Sequence, residues 1–181
     1  MLILASQSPR RGDLLKNAGI PFTVSPANVD ETVKEGELPE DYVKRVAEQK
    51  ALAIAGSPGD IVLGADTVVV IDDQILGKPA DAADASRMLS LLSGRKHEVL
   101  TGICLKGNGK LIADWAVTKV WFARMSDTET EQYVASGEPM DKAGAYAIQG
   151  LGSKFIDRID GSYNNVVGLP VSLVYKHLKC L

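Results

Sequence analysis

The 181-residue sequence has few of the residues that mark several common classes of protein site. Its two cysteines, Cys104 and Cys180, are far apart and form no CxxC pair, which argues against a disulfide scaffold and a thiolate zinc site. Its two histidines occur in no HExxH or HxH pattern, so they predict no catalytic role. No serine lies in a GxSxG elbow, and neither cysteine has a suitable base nearby in sequence. Covalent nucleophilic catalysis is therefore disfavoured, and water is the expected nucleophile of any displacement.

The sequence also has no long apolar run, no excess of positive charge and few aromatic residues. No apolar stretch approaches the ~20 residues of a membrane helix, and the apolar part of MLILASQSPRR is too short for a signal sequence. We therefore expect a cytoplasmic protein without a membrane partner. The net charge of -3 and the three phenylalanines, which form no stacking pattern, disfavour a nucleic-acid partner. Small molecules are the expected partners.

The pattern of the remaining residues predicts an α/β fold. With 45% hydrophobic residues, the chain can bury a full core as one domain, or two closely joined lobes, over residues 1–181. The periodicity predicts strands at 2–5, 61–71, 75–76, 97–106, 111–122 and 155–159. It predicts helices from Pro9 to Gly19, from Pro39 to Gly56, from Asp81 or Asp84 to Gly94, from a Ser126/Glu129 capping box to Gly137, and from Pro170 onward. Helices mixed with lone strands and hairpins indicate a mixed sheet.

Asp66 is the most informative single residue, because it stands inside the apolar run IVLGADTVVVI at 61–71. An ionised carboxylate in a buried strand costs several kcal/mol unless it has a partner. We predict that Asp66 is a metal ligand or a general base, with Gly64 and Ala65 giving a ligand room to approach. The alternative is a structural aspartate bonded to backbone amides or to one buried arginine.

The turn SQSPRR at 6–11 predicts a phosphate-binding helix start. Ser8 precedes Pro9 as an N-cap, and the free amides of the first turn attract anions. Arg10 and Arg11 can bind phosphate oxygens through paired N–H groups. The alternative is an ordinary capped helix with two solvated arginines, and the segment is neither a Walker motif nor a GxGxxG fingerprint.

Two lysines are candidates to accompany Asp66. Lys50 lies three residues after Ala47 and four after Val46, which turns its ammonium toward the interior or the edge of a cleft, unless it extends to water. Lys78 sits in the rigid GKP turn, from which it would point back over the Asp66 strand. The alternative for Lys78 is an exposed loop lysine.

Three further polar residues lie in loops. Glu31 would join Asp66 as a second oxygen ligand for Mg²⁺ or Mn²⁺, with substrate phosphates completing the shell, unless it is a solvated surface acid. Asp141 and Lys142 precede the stretch AGAYAIQG, whose glycines permit a folded binding loop. Their alternative is a structural turn with an internal salt bridge.

Seven segments together resemble the Maf family of nucleoside triphosphate pyrophosphatases over nearly the whole length. They are SQSPRR at 6–11, VDE at 29–31, AEQKA at 47–51, GADTVV at 64–69, GKP at 77–79, LSGRKHEVLTG at 92–102 and DKAGAYAIQG at 141–150. The resemblance implies hydrolysis between the α and β phosphates of a nucleoside triphosphate, with Mg²⁺ or Mn²⁺, to give the monophosphate and pyrophosphate. It also implies a two-lobed, ITPase-like α/β fold with a long bent mixed sheet and a cleft between the lobes, and a homodimer.

Three positions are similar to the dTTP/UTP branch of that family rather than to the 7-methyl-GTP branch. They are Arg10 after SP, Thr67 after Asp66, and Gln149 where the other branch has an acid. A glutamine carboxamide offers a donor and an acceptor, which matches the N3 donor and O4 acceptor of uracil or thymine.

The resemblance implies a role for each candidate residue. Asp66 acts as general base or helps to hold the metal, and Glu31 is a further metal ligand. Positive side chains neutralise the triphosphate, namely Arg10, Arg11, Lys50, Lys78 and Lys142. Ser8, Thr67, Asp141 and Gln149 complete the predicted substrate site. The rival hypothesis is a regulator of septum formation or cell division that binds dTTP or UTP without turnover.

Overall fold

Strands form where valine and isoleucine concentrate, and together they build one seven-stranded mixed sheet. The computed structural model describes every residue, Met1–Leu181. The strands are β1 (Leu2–Ala5), β2 (Phe22–Val24), β3 (Ile61–Ile71), β4 (Gln74–Leu76), β5 (Lys96–Gly107), β6 (Lys110–Phe122) and β7 (Ile156–Asp160). Their order is β2-β1-β3-β5-β6-β7, with β4 paired to β3. β1 is parallel to β2 and β3, whereas β4 and β7 are antiparallel to their partners. The predicted α/β fold with a mixed sheet is confirmed.

Apart from α5, the helices begin at or next to the caps that the sequence indicates. They are α1 (Pro9–Asn17), α2 (Pro39–Ala53), α3 (Ala82–Leu92), α4 (Asp127–Ala135), α5 (Tyr163–Val167) and α6 (Val171–Leu178). The side chain of Asp81 accepts a hydrogen bond from the amide of Asp84 at the start of α3, and Ser126 and Glu129 form the predicted capping box of α4. Helix α2 ends at Ala53, three residues before the predicted end at Gly56. None of the helices is both long and apolar enough to cross a membrane.

The chain divides into two compact units. The first contains Met1–Asp66, Thr101–Ala116 and Gly168–Leu181, and the second contains Thr67–Leu100 and Val117–Val167. The first unit includes a small-residue core with Ala5, Ala47, Ala51, Val62 and Cys104. The second has a larger core around α3 with Leu89, Leu92, Val120, Phe122 and Tyr146 among its members. Burial of these side chains is the main stabilising contribution in each unit.

Helix α2 lies with its main chain directly against the sheet. A Cβ atom on Gly64 of β3 would lie 2.1 Å from the carbonyl oxygen of Ala47 and 2.8 Å from the amide nitrogen of Ala51. A Cβ on Gly102 of β5 would lie 2.2 Å from the carbonyl oxygen of Val43. No side chain fits at either glycine. The prediction that Gly64 and Ala65 leave room for a ligand is therefore wrong, because main-chain atoms of α2 occupy the space at Gly64 and Ala65 is buried.

Several short elements were not predicted from the sequence. β2 has three residues, and α5 has five. Three 3-10 turns, Glu138–Asp141, Ala143–Ala145 and Gly150–Phe155, shape the region predicted as a glycine-bearing loop. Elements of this length contain too few residues to show a hydrophobic period, so their conformation depends on tertiary partners.

His97 lies in the core of the second unit and makes the stability of the protein depend on pH. Its side chain is 2% exposed, its Nε2 lies 2.7 Å from the hydroxyl of Tyr146, and its Nδ1 has no hydrogen-bond partner. Burial lowers the pKa of His97 from 6.5 to about 4.

We expect acid to destabilise the protein through His97. The unfolded chain binds a proton there below pH 6.5, whereas the folded chain does so only near pH 4, so the contribution is complete above pH 6.5 and falls away as the pH drops to 4. The full loss is about 3 kcal/mol. Urea unfolding at a series of pH values measures this loss. In His97→Gln the free energy of unfolding should change much less between pH 6.5 and pH 4. An equally steep interval in that variant would contradict the assignment.

Candidate active site

Asp66 and Lys50 form a buried ion pair in the first unit. The Nζ of Lys50, on α2, lies 2.7 Å from Oδ1 of Asp66, on β3. The two residues are 7% and 6% exposed. The lysine reaches the aspartate because its position on the apolar stripe of α2 turns it toward the sheet. The partner of this Asp66 oxygen is thus an ammonium group.

Glu31 shares the same lysine. Its Oε1 lies 2.8 Å from Nζ of Lys50, and its side chain is 48% exposed. One ammonium therefore bridges two carboxylates, of which one is buried and the other is open to solvent. Glu31 therefore keeps this cluster within reach of solvent and of a ligand that approaches from it.

The loop that carries Glu31 is held against α2 by side chains of that helix. The hydroxyl of Tyr42 donates to the carbonyl oxygen of Glu31 at 2.9 Å, and Nη2 of Arg45 donates to the carbonyl oxygen of Thr32 at 3.0 Å. Arg45 also makes a two-pronged pair with Glu37, at 2.5 and 2.7 Å. The hydrogen bond from Arg45 lowers the pKa of Glu37 to about 2. The ion pair between Arg45 and Glu37 therefore persists at neutral and mildly acidic pH and keeps this loop in place.

Arg11 is buried beside these acids rather than solvated. Its Nε donates to the carbonyl oxygen of Gly168 at 2.8 Å, and its Nη1 lies 3.0 Å from Oγ of Ser6 and 2.8 Å from the carbonyl oxygen of Ala65. Burial lowers the pKa of Arg11, and the charges of Asp66 and Glu31 act against that shift. Since Ala65 directly precedes Asp66, Arg11 fixes the main chain from which Asp66 projects.

The start of α1 lies beside Arg11. Ser8 occupies the N-cap position, but its side chain makes no hydrogen bond to the amides of the first turn. Its own amide donates to Oγ of Ser6 at 3.2 Å. Arg10 is half-buried in the first turn. The backbone amides at the start of a helix are the kind of donor that attracts an anion.

The two carboxylates suit a hard divalent cation. No group of three or more His, Cys, Asp and Glu side chains in the chain could hold a metal ion by itself. Glu31 and Asp66 nevertheless converge, because both contact Nζ of Lys50. Mg²⁺ and Mn²⁺ prefer oxygen ligands, and Mg²⁺ is commonly held by one or two carboxylates with substrate phosphates and water. The residues present therefore fit such an ion.

The remaining candidate residues belong to the second unit. Thr67 follows Asp66 in β3 and is half-buried. Lys78 is exposed in the turn after β4, and the amide of Gly144 donates to the carbonyl oxygen of Gly77 at 3.0 Å, which joins that turn to the AGAY segment.

Asp141, Lys142 and Gln149 lie in or directly beside the 3-10 turns of the second unit. Nζ of Lys142 bonds to the carboxylate of Asp141 and to the carbonyl oxygen of Glu138, so these residues form an internal ion pair. Gln149 is exposed at the start of the third turn. The structure thus brings Asp66, Lys50, Glu31 and Arg11 together, while Asp141 and Lys142 bond to each other.

Sequence reasoning missed the residues that support this site. Tyr42 and Arg45 lie three apart on α2, so they share one helical face, and this spacing is the signal that could have linked them. Glu37 and Ser6 lie in loops, where they bond to Arg45 and Arg11 respectively, and no periodic pattern indicates these contacts. Tyr133 and Glu138, which hold the Gln149 loop, were likewise not predicted.

The chain is similar to known proteins along its whole length. Residues 1–181 match the family profile described as Maf-like protein. Proteins named dTTP/UTP pyrophosphatase are similar over nearly the whole chain. The one from Koribacter versatilis (strain Ellin345) is 51% identical over 179 residues, covering 98% of this chain and 93% of that protein. The one from Anaeromyxobacter dehalogenans (strain 2CP-C) is 54% identical over 175 residues, covering 94% and 89%.

Solved structures share the fold at low sequence identity. A HAM1 protein from Coxiella burnetii superposes with a TM-score of 0.55 at 16% identity, covering 99% of this chain and 98% of that chain. The Ham1 protein of Staphylococcus aureus gives 0.57 at 14% identity with the same coverage. These two support the fold alone. With a family match along its entire length and relatives at about half identity, the chain belongs to the Maf family.

Proposed function

We propose that the protein is a nucleoside triphosphate pyrophosphatase that hydrolyses dTTP and UTP between the α and β phosphates. The observation that carries the proposal is the buried Asp66, paired with Lys50, which also binds Glu31. Relatives at about half identity carry the name of this activity. Turnover is favoured over the regulator hypothesis, because these relatives are named for a hydrolytic activity.

Asp66 is the proposed general base. Oδ1 accepts a hydrogen bond from Lys50, which fixes the carboxylate and leaves its remaining acceptor sites to take a proton from the attacking water. The alternative role of Asp66 is to help Glu31 hold Mg²⁺ or Mn²⁺, which when bound would neutralise charge on the phosphates. Lys50 orients both acids, which repel one another when its charge is absent.

Other residues neutralise and recognise the substrate. Arg10, Arg11, Lys78 and Lys142 would offset the negative charge of a triphosphate approaching a protein of net charge -3. Ser8 and the first-turn amides of α1 provide further phosphate donors. Gln149 reads the base, and Thr67 and Asp141 complete the substrate site. A homodimer remains the expectation from the family resemblance.

Product analysis tests the proposal. Incubation with UTP or dTTP and Mg²⁺ or Mn²⁺ should release the monophosphate and pyrophosphate in equal amounts, and 7-methyl-GTP should react much more slowly. Without a divalent cation, the nucleotide should stay intact. Release of orthophosphate would point to a different phosphohydrolase, and tight binding of UTP without turnover would support the regulator instead. Either result would overturn the proposal.

A further inference from the structure

The carboxylate of Glu138 collects three hydrogen bonds within the second unit. Its Oε1 accepts from the hydroxyl of Tyr133 at 2.7 Å and from the amide of Gly152 at 3.0 Å, and its Oε2 accepts from the amide of Leu151 at 2.9 Å. The hydroxyl of Tyr133 in turn accepts from the amide of Ala147 at 3.2 Å. Glu138 thus holds the main chain at Leu151 and Gly152 directly, and that at Ala147 through the hydroxyl of Tyr133.

The anchored amides lie on both sides of Gln149. Ala147 is two residues before it, and Leu151 is two residues after it. Gln149 itself is exposed, with an extended backbone at φ -89° and ψ 157°. An exposed loop residue ordinarily has a mobile main chain. Here the Tyr133–Glu138 pair fixes the main chain around Gln149 while its side chain remains open to solvent.

Two glycines allow the loop to close on this pair. Gly150 has φ +75°, and a Cβ there would lie 2.4 Å from Oε2 of Glu138. A Cβ on Gly152 would lie 2.4 Å from the carbonyl oxygen of Ala147 and 2.6 Å from the hydroxyl of Tyr133. The GLG sequence at 150–152 is therefore required by the contact with Glu138 and Tyr133.

We propose that Glu138 and Tyr133 are positioning residues for Gln149 and thereby determine the discrimination between UTP and CTP. The inference rests on the proposed function. Uracil presents an N3 donor and an O4 acceptor, whereas cytosine presents an acceptor and a donor at the same two places. The carboxamide of Gln149 alone does not separate the two bases, because rotation about its terminal torsion exchanges its donor and acceptor. The peptide groups beside Gln149 cannot exchange in this way once Glu138 and Tyr133 hold the main chain, so a base bound at Gln149 meets a fixed pattern of donors and acceptors, and the base with the other pattern leaves polar groups unpaired.

The experiment compares UTP and CTP hydrolysis in the wild type, Tyr133→Phe and Glu138→Gln. Tyr133→Phe keeps the ring against Phe155 and removes only the hydroxyl. Glu138→Gln keeps the shape but turns an NH₂ group toward one of the anchored donors. For each variant we expect the KM for UTP to rise about tenfold with kcat changed less than about threefold, and the UTP-to-CTP ratio of kcat/KM to fall about tenfold.

Asp72→Asn is the matched control. Asp72 also lies in the second unit and pairs with Arg95 in an exposed salt bridge, so its loss should leave the ratio unchanged. Equal losses for UTP and CTP, with the ratio preserved, would reduce Glu138 and Tyr133 to structural residues and overturn the inference while the proposed function stands. If the wild type cleaves neither nucleotide, both this inference and the proposed function are wrong.

Discussion

Replacement of Asp66 by asparagine should lower kcat for UTP by at least ~100-fold while the protein stays folded. An asparagine has the shape of aspartate, but its amide cannot take a proton from water at neutral pH and is a poorer ligand for a divalent cation. The fold should survive because Lys50 keeps its 2.8 Å contact with Glu31 and is not left as an unpaired buried charge.

Pyrophosphate release under saturating UTP measures this effect, and circular dichroism with thermal unfolding checks the fold. Asp72→Asn, in the turn that follows the same strand, serves as the control and should retain the activity of the wild type. Turnover by Asp66→Asn within a few-fold of the wild type would remove Asp66 from the chemistry. The cluster with Lys50 and Glu31 would then be an ion pair with a structural role.

Replacement of Lys50 by methionine should lower the free energy of unfolding by about 3 kcal/mol, the low end of the cost of breaking a buried ion pair. The methionine retains the apolar stem and removes the charge, so Asp66 stays buried without its ammonium partner. The low end applies because Arg11 also lies near Asp66. Activity should fall as well, since two acids then face each other without a shared cation.

The double variant Lys50→Met/Asp66→Asn separates pairing from packing. With both charges gone, we expect at least ~1 kcal/mol of the loss to be recovered relative to the sum of the single variants. Urea unfolding of all four proteins at pH 7 measures this coupling. Lys44→Met removes a half-exposed lysine of the same helix, whose partner is Asp41, and should change stability by less than about 0.5 kcal/mol. Strictly additive losses at positions 50 and 66 would contradict the ion pair.

The sequence predicted those parts of the fold that depend on local chemistry. β3 was predicted at 61–71 and is found at Ile61–Ile71, because a buried strand needs an unbroken apolar run. The Ser126 capping box formed as expected, since both of its partners lie within one turn. β2 was missed because its three residues become a strand only by pairing with β1. α5 was missed because five residues are too few to show a helical period.

The sequence indicated most residues of the candidate site, but it did not indicate which of them contact one another. Helical spacing alone turns Lys50 inward, yet it does not say that the lysine meets Asp66, sixteen residues along the chain. The approach of Glu31 depends on the path of an irregular loop, which Tyr42 and Arg45 determine. Such loop paths follow from tertiary contacts that no periodicity records.

The backbone contact at Gly64 sets the span that Lys50 must cross to reach Asp66. Because peptide atoms of α2 and β3 touch there, the helix cannot move closer to the strand, and neighbouring contacts of the same kind at Gly102 hold it in place. The four-carbon stem of lysine is therefore matched to a rigid gap. An arginine carries the same charge, but its longer stem and broad planar head do not fit this gap. Lys50→Arg would therefore keep the charge without reproducing the contact with Asp66.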